Sequence, residues 1–214
     1  KAAMVAARET GDEAEAFLQD QLQYAVKILM NSFYGVFASS FYRFTHPALG
    51  ASITEWARHN IRTIIDSVEK EGNPVVYSDT DSIFVKAPVE KEAPTKRPNR
   101  EEPSFEIWNE ARENSLRFGH NLADRFSKEG AELEFETTLS AFFSHGAKKR
   151  YFGRVVWPRE EMLIRGYEIR RSDSFTLLND TMKEMFEMIL DDNDWAAVEM
   201  AKGVIDEVKS GKSD

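Results

Sequence analysis

The segment Pro74-Val-Val-Tyr-Ser-Asp-Thr-Asp-Ser-Ile-Phe-Val85 constrains the fold more than any other part of the chain. Two short runs rich in β-branched and aromatic residues, Val75-Val76-Tyr77 and Ile83-Phe84-Val85, enclose a small polar centre. That is the pattern of a β-hairpin, and its apolar flanks fix the turn on a buried element. Residues i and i+2 of an extended chain share a face. Asp79 and Asp81 are therefore expected side by side at the hairpin tip.

The rest of the chain reads as helices and strands around this hairpin. Lys1 to Arg8 is alanine-rich and helical in character. From Asp12 to about Ser32 there is no Pro or Gly, and Phe17, Leu18, Leu22, Ala25, Val26 and Leu29 recur at helical spacing. This predicts a helical hairpin whose second arm is capped by Asp12 and closed by Gly35. A further helix is expected over 52–71, capped by Ser52 with Glu55 at the capping-box position. Residues 86–103 hold four of the seven prolines and charges of both signs, which predicts a mobile surface loop. Beyond it the patterns predict a helix over 104–128, strands near 131–138, 149–157 and 162–169, and helices over 175–190 and 194–209. The order predicts an α+β protein with an antiparallel sheet and packed helices.

Composition narrows the function classes. With 42% hydrophobic residues in 214, wholesale disorder is excluded. The absence of cysteine excludes disulfides, thiolate zinc sites and cysteine nucleophiles. No apolar run approaches the roughly 18 residues of a membrane span, so no membrane partner is expected and a cytoplasmic location is the default. The formal charge is −9, unlike a protein that coats nucleic acid nonspecifically. The basic residues are, however, concentrated. Between His145 and Arg171, eight basic residues face three acidic ones, a local +5 that leaves −14 for the remainder. Tyr151, Phe152 and Trp157 are interleaved with this run, and such a strand can track a phosphate backbone. A solvated edge strand is the plainer alternative.

Two further clusters bear on chemistry. Paired carboxylates at Asp79 and Asp81 repel unless a cation lies between them. A hard dication such as Mg²⁺ answers that need and keeps positions open for substrate phosphates. An ordinary Asp- and Ser-rich turn is the bland alternative. On the long helix Gln23, Lys27, Asn31 and Tyr34 form one stripe, able to meet a phosphate, a sugar and a base edge, or simply solvent. Glu132, Glu134 and Glu136 alternate and share a face, either solvated or near a cation. His46, His59, His120 and His145 lack metal-ligand spacing. Met182, Met185 and Met188 read as packing residues.

Taken together, these segments resemble a family B DNA polymerase of the archaeal kind. Lys27-Ile-Leu-Met-Asn31-Ser-Phe-Tyr34-Gly35 matches the family's KxxxNSxYG motif, and Tyr77-Ser-Asp79-Thr-Asp81-Ser its YxDTDS motif. Lys148-Lys149-Arg150-Tyr151 matches its KKxY segment. Arg165-Gly166-Tyr167-Glu168-Ile169, with Arg171 and Asp173, is similar to its RGxEIxRxD segment, except that Ser172 replaces a usual arginine. The four occur in family order over roughly residues 1–174.

The resemblance implies fingers helices over 1–35, a palm over 36–174 and the start of a thumb over 175–214. It implies template-directed nucleotidyl transfer with Mg²⁺, dNTPs and primer–template DNA as partners. Asp81 would be the principal metal ligand, Asp79 a supporting one, and Glu134 and Glu136 possible further ligands. Lys27, Asn31 and Tyr34 would bind the incoming nucleotide, and Lys27 would also serve catalysis. Lys148, Lys149, Arg150, Tyr151 and Arg171 would grip DNA. The family's other palm motif, with the partner aspartate, and its exonuclease would lie upstream of Lys1. The chain is therefore expected to be inactive alone and to need a larger polymerase polypeptide, or upstream sequence, that carries them. The alternatives are a non-catalytic DNA-binding subunit derived from a polymerase and an acidic Mg²⁺- or Ca²⁺-binding protein.

Overall fold

The computed structural model describes residues 11–89, 92–130, 133–167 and 176–211. The chain divides into two compact units, one ending at Thr63 and the other beginning at Ile64. Helices and antiparallel strands together make it an α+β protein. The expected helix over Lys1–Arg8 lies outside the described residues.

The first unit is built on α1 (Glu13–Ala38) and the first part of α2 (Pro47–Lys70). Asp12 caps α1 as expected, its side chain accepting the Glu15 N–H at 3.0 Å. Gly35 does not end the helix. It keeps right-handed backbone, and α1 continues to Ala38, where the Ser39 N–H donates to the Gly35 carbonyl. Nor does Ser52 cap α2. The helix begins five residues earlier at Pro47, whose fixed φ suits the first helical position. His46 serves the end instead, its Nδ1 accepting the Leu49 N–H at 3.4 Å. Ser52 lies inside the helix and donates to the Ala48 carbonyl. The two helices approach closely where Gly50 faces Ala38, since a Cβ on Gly50 would lie 3.0 Å from it. Most of the apolar stripe of α1 stays open. Leu18, Leu22, Val26 and Leu29, which recur at helical spacing, are exposed, and Ala16 alone is buried in this helix. Among the described residues too few elements meet in this unit to cover a 26-residue helix.

The second unit carries the core. β1 (Val75–Asp79) and β2 (Ser82–Val85) form the expected antiparallel hairpin. Val75, Ile83 and Val85 pack on Ile64 and Val68 of α2 and on Phe126 of α3 (Ser104–Lys128). A separate three-stranded antiparallel sheet runs in the order β3 (Thr138–Ser144), β4 (Tyr151–Trp157), β5 (Glu161–Arg165). The strand expected near 131–138 is displaced. Leu133 to Thr137 pair with no strand, although exposure still alternates there, and the ladder starts at Thr138. Helix α4 (Thr176–Leu190) lies on this sheet, with Phe186 stacked on the fully buried Phe152 at 4.0 Å and Met182 packed beside them. α5 (Asp194–Lys209) follows as the last helix. Among the described residues no helix is long and apolar enough to cross a membrane.

One polar network ties the unit together. Arg154 of β4 is only 12% exposed and donates to Glu187 and, at 2.9 Å, to Asp191. Asp191 also pairs with Lys96, and Ser140 donates to the Thr95 carbonyl. The described part of the loop expected to be mobile is thus fastened to β3 and to the end of α4. Burial pushes the Asp191 carboxyl up, but hydrogen bonds from Lys96 and Arg154 outweigh it and hold it below the usual carboxylate range. Its stabilisation is therefore present above the ordinary value of 3.8 and is lost as pH falls through the lower folded value. Arg154→Met is expected to cost roughly 2–3 kcal/mol. Asp191→Asn is expected to flatten the stability curve below about pH 4. Urea titrations across pH check both.

Candidate active site

The tip of the β1–β2 hairpin is tighter than an alternating strand. Asp79 pairs with Ser82, so only Thr80 and Asp81 make the turn. The Asp81 N–H donates to the Asp79 carbonyl at 2.7 Å, across a Thr80 whose φ is +55°. That is a γ-turn on a β-branched residue in left-handed backbone, which costs on the order of 1–3 kcal/mol. Ser82 Oγ donates to the same carbonyl and Thr80 Oγ1 to Asp79 Oδ1, both at 3.1 Å. The two carboxylates consequently differ from the expected same-face pair. Asp79 ends a strand with its side chain 24% exposed, whereas Asp81 stands in the turn, open to solvent.

The basic turn between β3 and β4 comes to this tip. It reverses through Gly146, at φ +87°, and Lys149, at φ +63°, and the Arg150 N–H donates to the Ala147 carbonyl. The Lys149 N–H donates to the Tyr77 hydroxyl at 2.9 Å, and its Nζ lies 3.7 Å from Asp79 Oδ1. Lys148, Lys149 and Arg150 are exposed. Tyr151 is not, at 7%. Its ring packs with Tyr77 (5.0 Å), Phe84 (5.3 Å) and Phe142 (5.7 Å), so its face is not open to a ligand. Burial raises the Tyr151 pKa most, Arg165 lowers it, and Asp79, Tyr77 and Glu136 raise it further. The phenol therefore stays protonated and able to donate at neutral pH. Of these two carboxylates the Asp79 charge acts on this hydroxyl more strongly, and Glu136 is exposed. Glu134 is also exposed.

The oxygen donors at the tip are of the kind a hard dication takes. Among the described residues no group of three or more Asp, Glu, His or Cys side chains is arranged to hold a metal ion. The tip therefore fits one hard cation in kind, with coordination to be completed by other groups. Arg154, part of the basic run, is turned inward and spent on Glu187 and Asp191 rather than offered to a polyanion.

Lys27, Asn31 and Tyr34 lie on α1 in the first unit, all exposed and at the spacing that keeps them on one stripe. Arg171 lies outside the described residues. Sequence reasoning placed Tyr77 in the YxDTDS motif without a partner for its hydroxyl, and it missed the structural part of Gly166. Gly166, at φ +74°, lies so close to the turn that a Cβ would overlap the Lys149 carbonyl oxygen. A glycine inside the strand expected over 162–169 was the available signal.

The chain is similar to known DNA polymerases. Residues 1–98 match the family model for DNA polymerase family B. The DNA polymerase of Archaeoglobus fulgidus is 33% identical over 205 residues, covering 94% of this chain and 22% of that protein. DNA polymerase II of Escherichia coli is 29% identical over 213 residues, covering 95% and 26%. The solved family B DNA polymerase of Pyrobaculum calidifontis superposes with a TM-score of 0.60 at 22% identity, over 99% of this chain and 25% of that one. The chain is similar to these DNA polymerases over nearly its whole length. It spans about a quarter of the length of these relatives.

Gly166→Ala adds both a strained φ and a steric overlap with the Lys149 backbone. It is expected to lower stability by roughly 1–3 kcal/mol, read as an earlier urea midpoint with an unchanged slope.

Proposed function

We propose that this chain supplies the nucleotide-binding helix and one carboxylate half of a two-metal site for DNA-directed DNA synthesis. The observation that carries the reading is the strained tip, where Asp79 and Asp81 are presented with Lys149 of the basic turn 3.7 Å from Asp79. In this reading 1–35 act as fingers, 36–174 as palm and 175–214 as the start of a thumb. Lys27 neutralises the triphosphate of an incoming dNTP and can protonate the departing pyrophosphate. Asn31 sits by the triphosphate, and Tyr34 packs beneath the nascent base pair. Lys148, Lys149, Arg150 and Arg171 hold the backbone of the primer–template, and the protonated Tyr151 hydroxyl donates to its minor groove.

Asp81 is the principal holder of Mg²⁺ and Asp79 its support, with Glu136 and Glu134 as outer candidates. Bound Mg²⁺ supplies charge neutralisation for the primer 3′-oxygen, the α-phosphate and the leaving pyrophosphate. Further carboxylate ligands and the exonuclease come from a larger polymerase polypeptide or from upstream sequence, so the 214 residues alone are inactive.

Primer extension with Mg²⁺ and dNTPs, comparing the chain alone with the chain plus the upstream half, tests this. Extension only in the mixture is expected. Asp81→Ala in that mixture should reduce the rate on the order of 100- to 1000-fold or more while leaving duplex binding in place. Extension by the isolated chain would refute the need for a partner. A mixture that associates without extending primers would point to a non-catalytic subunit. Binding of primer–template should also fall as salt rises, with a log–log slope near −0.9 for each phosphate held. An acidic ion-binding protein unrelated to DNA would show no such binding.

A further inference from the structure

The four rings that join the hairpin to the three-stranded sheet are Tyr77, Phe84, Phe142 and Tyr151. Phe84 and Phe142 fill their places without a hydroxyl, so packing alone does not call for one at position 77. The Tyr77 hydroxyl nevertheless has a specific partner. It accepts the N–H of Lys149, which lies 72 residues away in sequence, at 2.9 Å. Lys149 is a long-chain residue at φ +63°, a region that such residues seldom occupy unless their surroundings fix them there. It is fixed on two sides: Tyr77 takes its N–H, and the bare Cα of Gly166 lies against its carbonyl. With the backbone held in this way, its ammonium comes within 3.7 Å of Asp79, two residues along the same strand from Tyr77.

We propose that Tyr77 is a positioning residue, whose hydroxyl sets the basic turn so that Lys149 is presented beside the Asp79 carboxylate. The proposal rests on the reading above that this turn grips primer–template DNA. It adds a second function to the strand. β1 carries Asp79 at its end and, through Tyr77, also determines where the phosphate-binding lysine stands. The hydrogen bond that Lys149 donates to the hairpin thereby helps to set the position of the DNA backbone relative to the carboxylates.

The test is Tyr77→Phe in the full chain, which keeps the ring and removes the hydroxyl. The first readout needs no DNA. Amide exchange at Lys149 should quicken about tenfold in the variant while exchange in the β1–β2 ladder is unchanged. The second is affinity for a primer–template duplex at fixed salt. Tyr77→Phe should weaken it about three- to tenfold, as should Lys149→Ala. The double variant should bind no worse than Lys149→Ala alone, since the hydroxyl acts through that lysine. Unchanged exchange at Lys149 would overturn the proposal. So would losses that multiply in the double variant, which would mean that Tyr77 acts independently of Lys149. A wild-type chain with no salt-dependent duplex binding would instead defeat the DNA-grip reading and the functional half of this proposal, and the exchange experiment would still decide whether Tyr77 fixes the turn.

Discussion

The cluster of Tyr77, Phe84, Phe142 and Tyr151 is the contact on which the candidate site depends. The hairpin and the three-stranded sheet share no backbone ladder. Ring packing and the Lys149–Tyr77 hydrogen bond join them instead. Each aromatic pair is worth about 0.5–1.5 kcal/mol beyond simple burial. Several such pairs suffice to fix a short hairpin whose own strands are five and four residues long. Without that junction, the carboxylates and the basic turn would belong to two elements free to drift apart. The buried Tyr151 is therefore first a structural residue.

Local strain is concentrated where charge is concentrated. Thr80 and Lys149 are two of the three non-glycine residues with positive φ among the described residues. One shapes the acidic tip and the other the basic turn beside it. Their surroundings supply the compensation: Ser82 and the Asp81 N–H bond the Asp79 carbonyl, while Tyr77 and Gly166 brace Lys149. Strain that neighbouring groups over-determine in this way is characteristic of sites whose groups must be held in one geometry.

Much of this architecture was legible in the sequence. The hairpin could be read because its β-rich flanks surround a polar centre, and the helices at 104–128, 176–190 and 194–209 because their periodicity is long and clearly bounded. The helix ends at Gly35 and Ser52 were misread because a glycine stops a helix only when its backbone turns left-handed, and His46-Pro47 supplies a better start than Ser52. The β3 strand was placed too early because the Glu132–Glu136 alternation is more visible than the pattern in Thr-Leu-Ser-Ala-Phe-Phe-Ser. Sequence periodicity says little about pairings across long separations. Arg154 finds Glu187 and Asp191 at 33 and 37 residues' distance, and Tyr77 finds Lys149 at 72. A basic residue on a strand therefore looked available for phosphate when its charge was already matched inside.

The anchoring of α4 has a mechanical consequence. Phe186 stacks on the sheet within the helix, and Asp191, just past its end, is held by Arg154 and Lys96. The helix is therefore fastened along its C-terminal half and behaves as part of the sheet. Any swing of the following segment must begin beyond that fastening, at the Asp192–Asn193 corner, where the backbone already turns left-handed at Asp192. α5 packs back on α4 beyond that corner, so the sheet and α4 serve as its support.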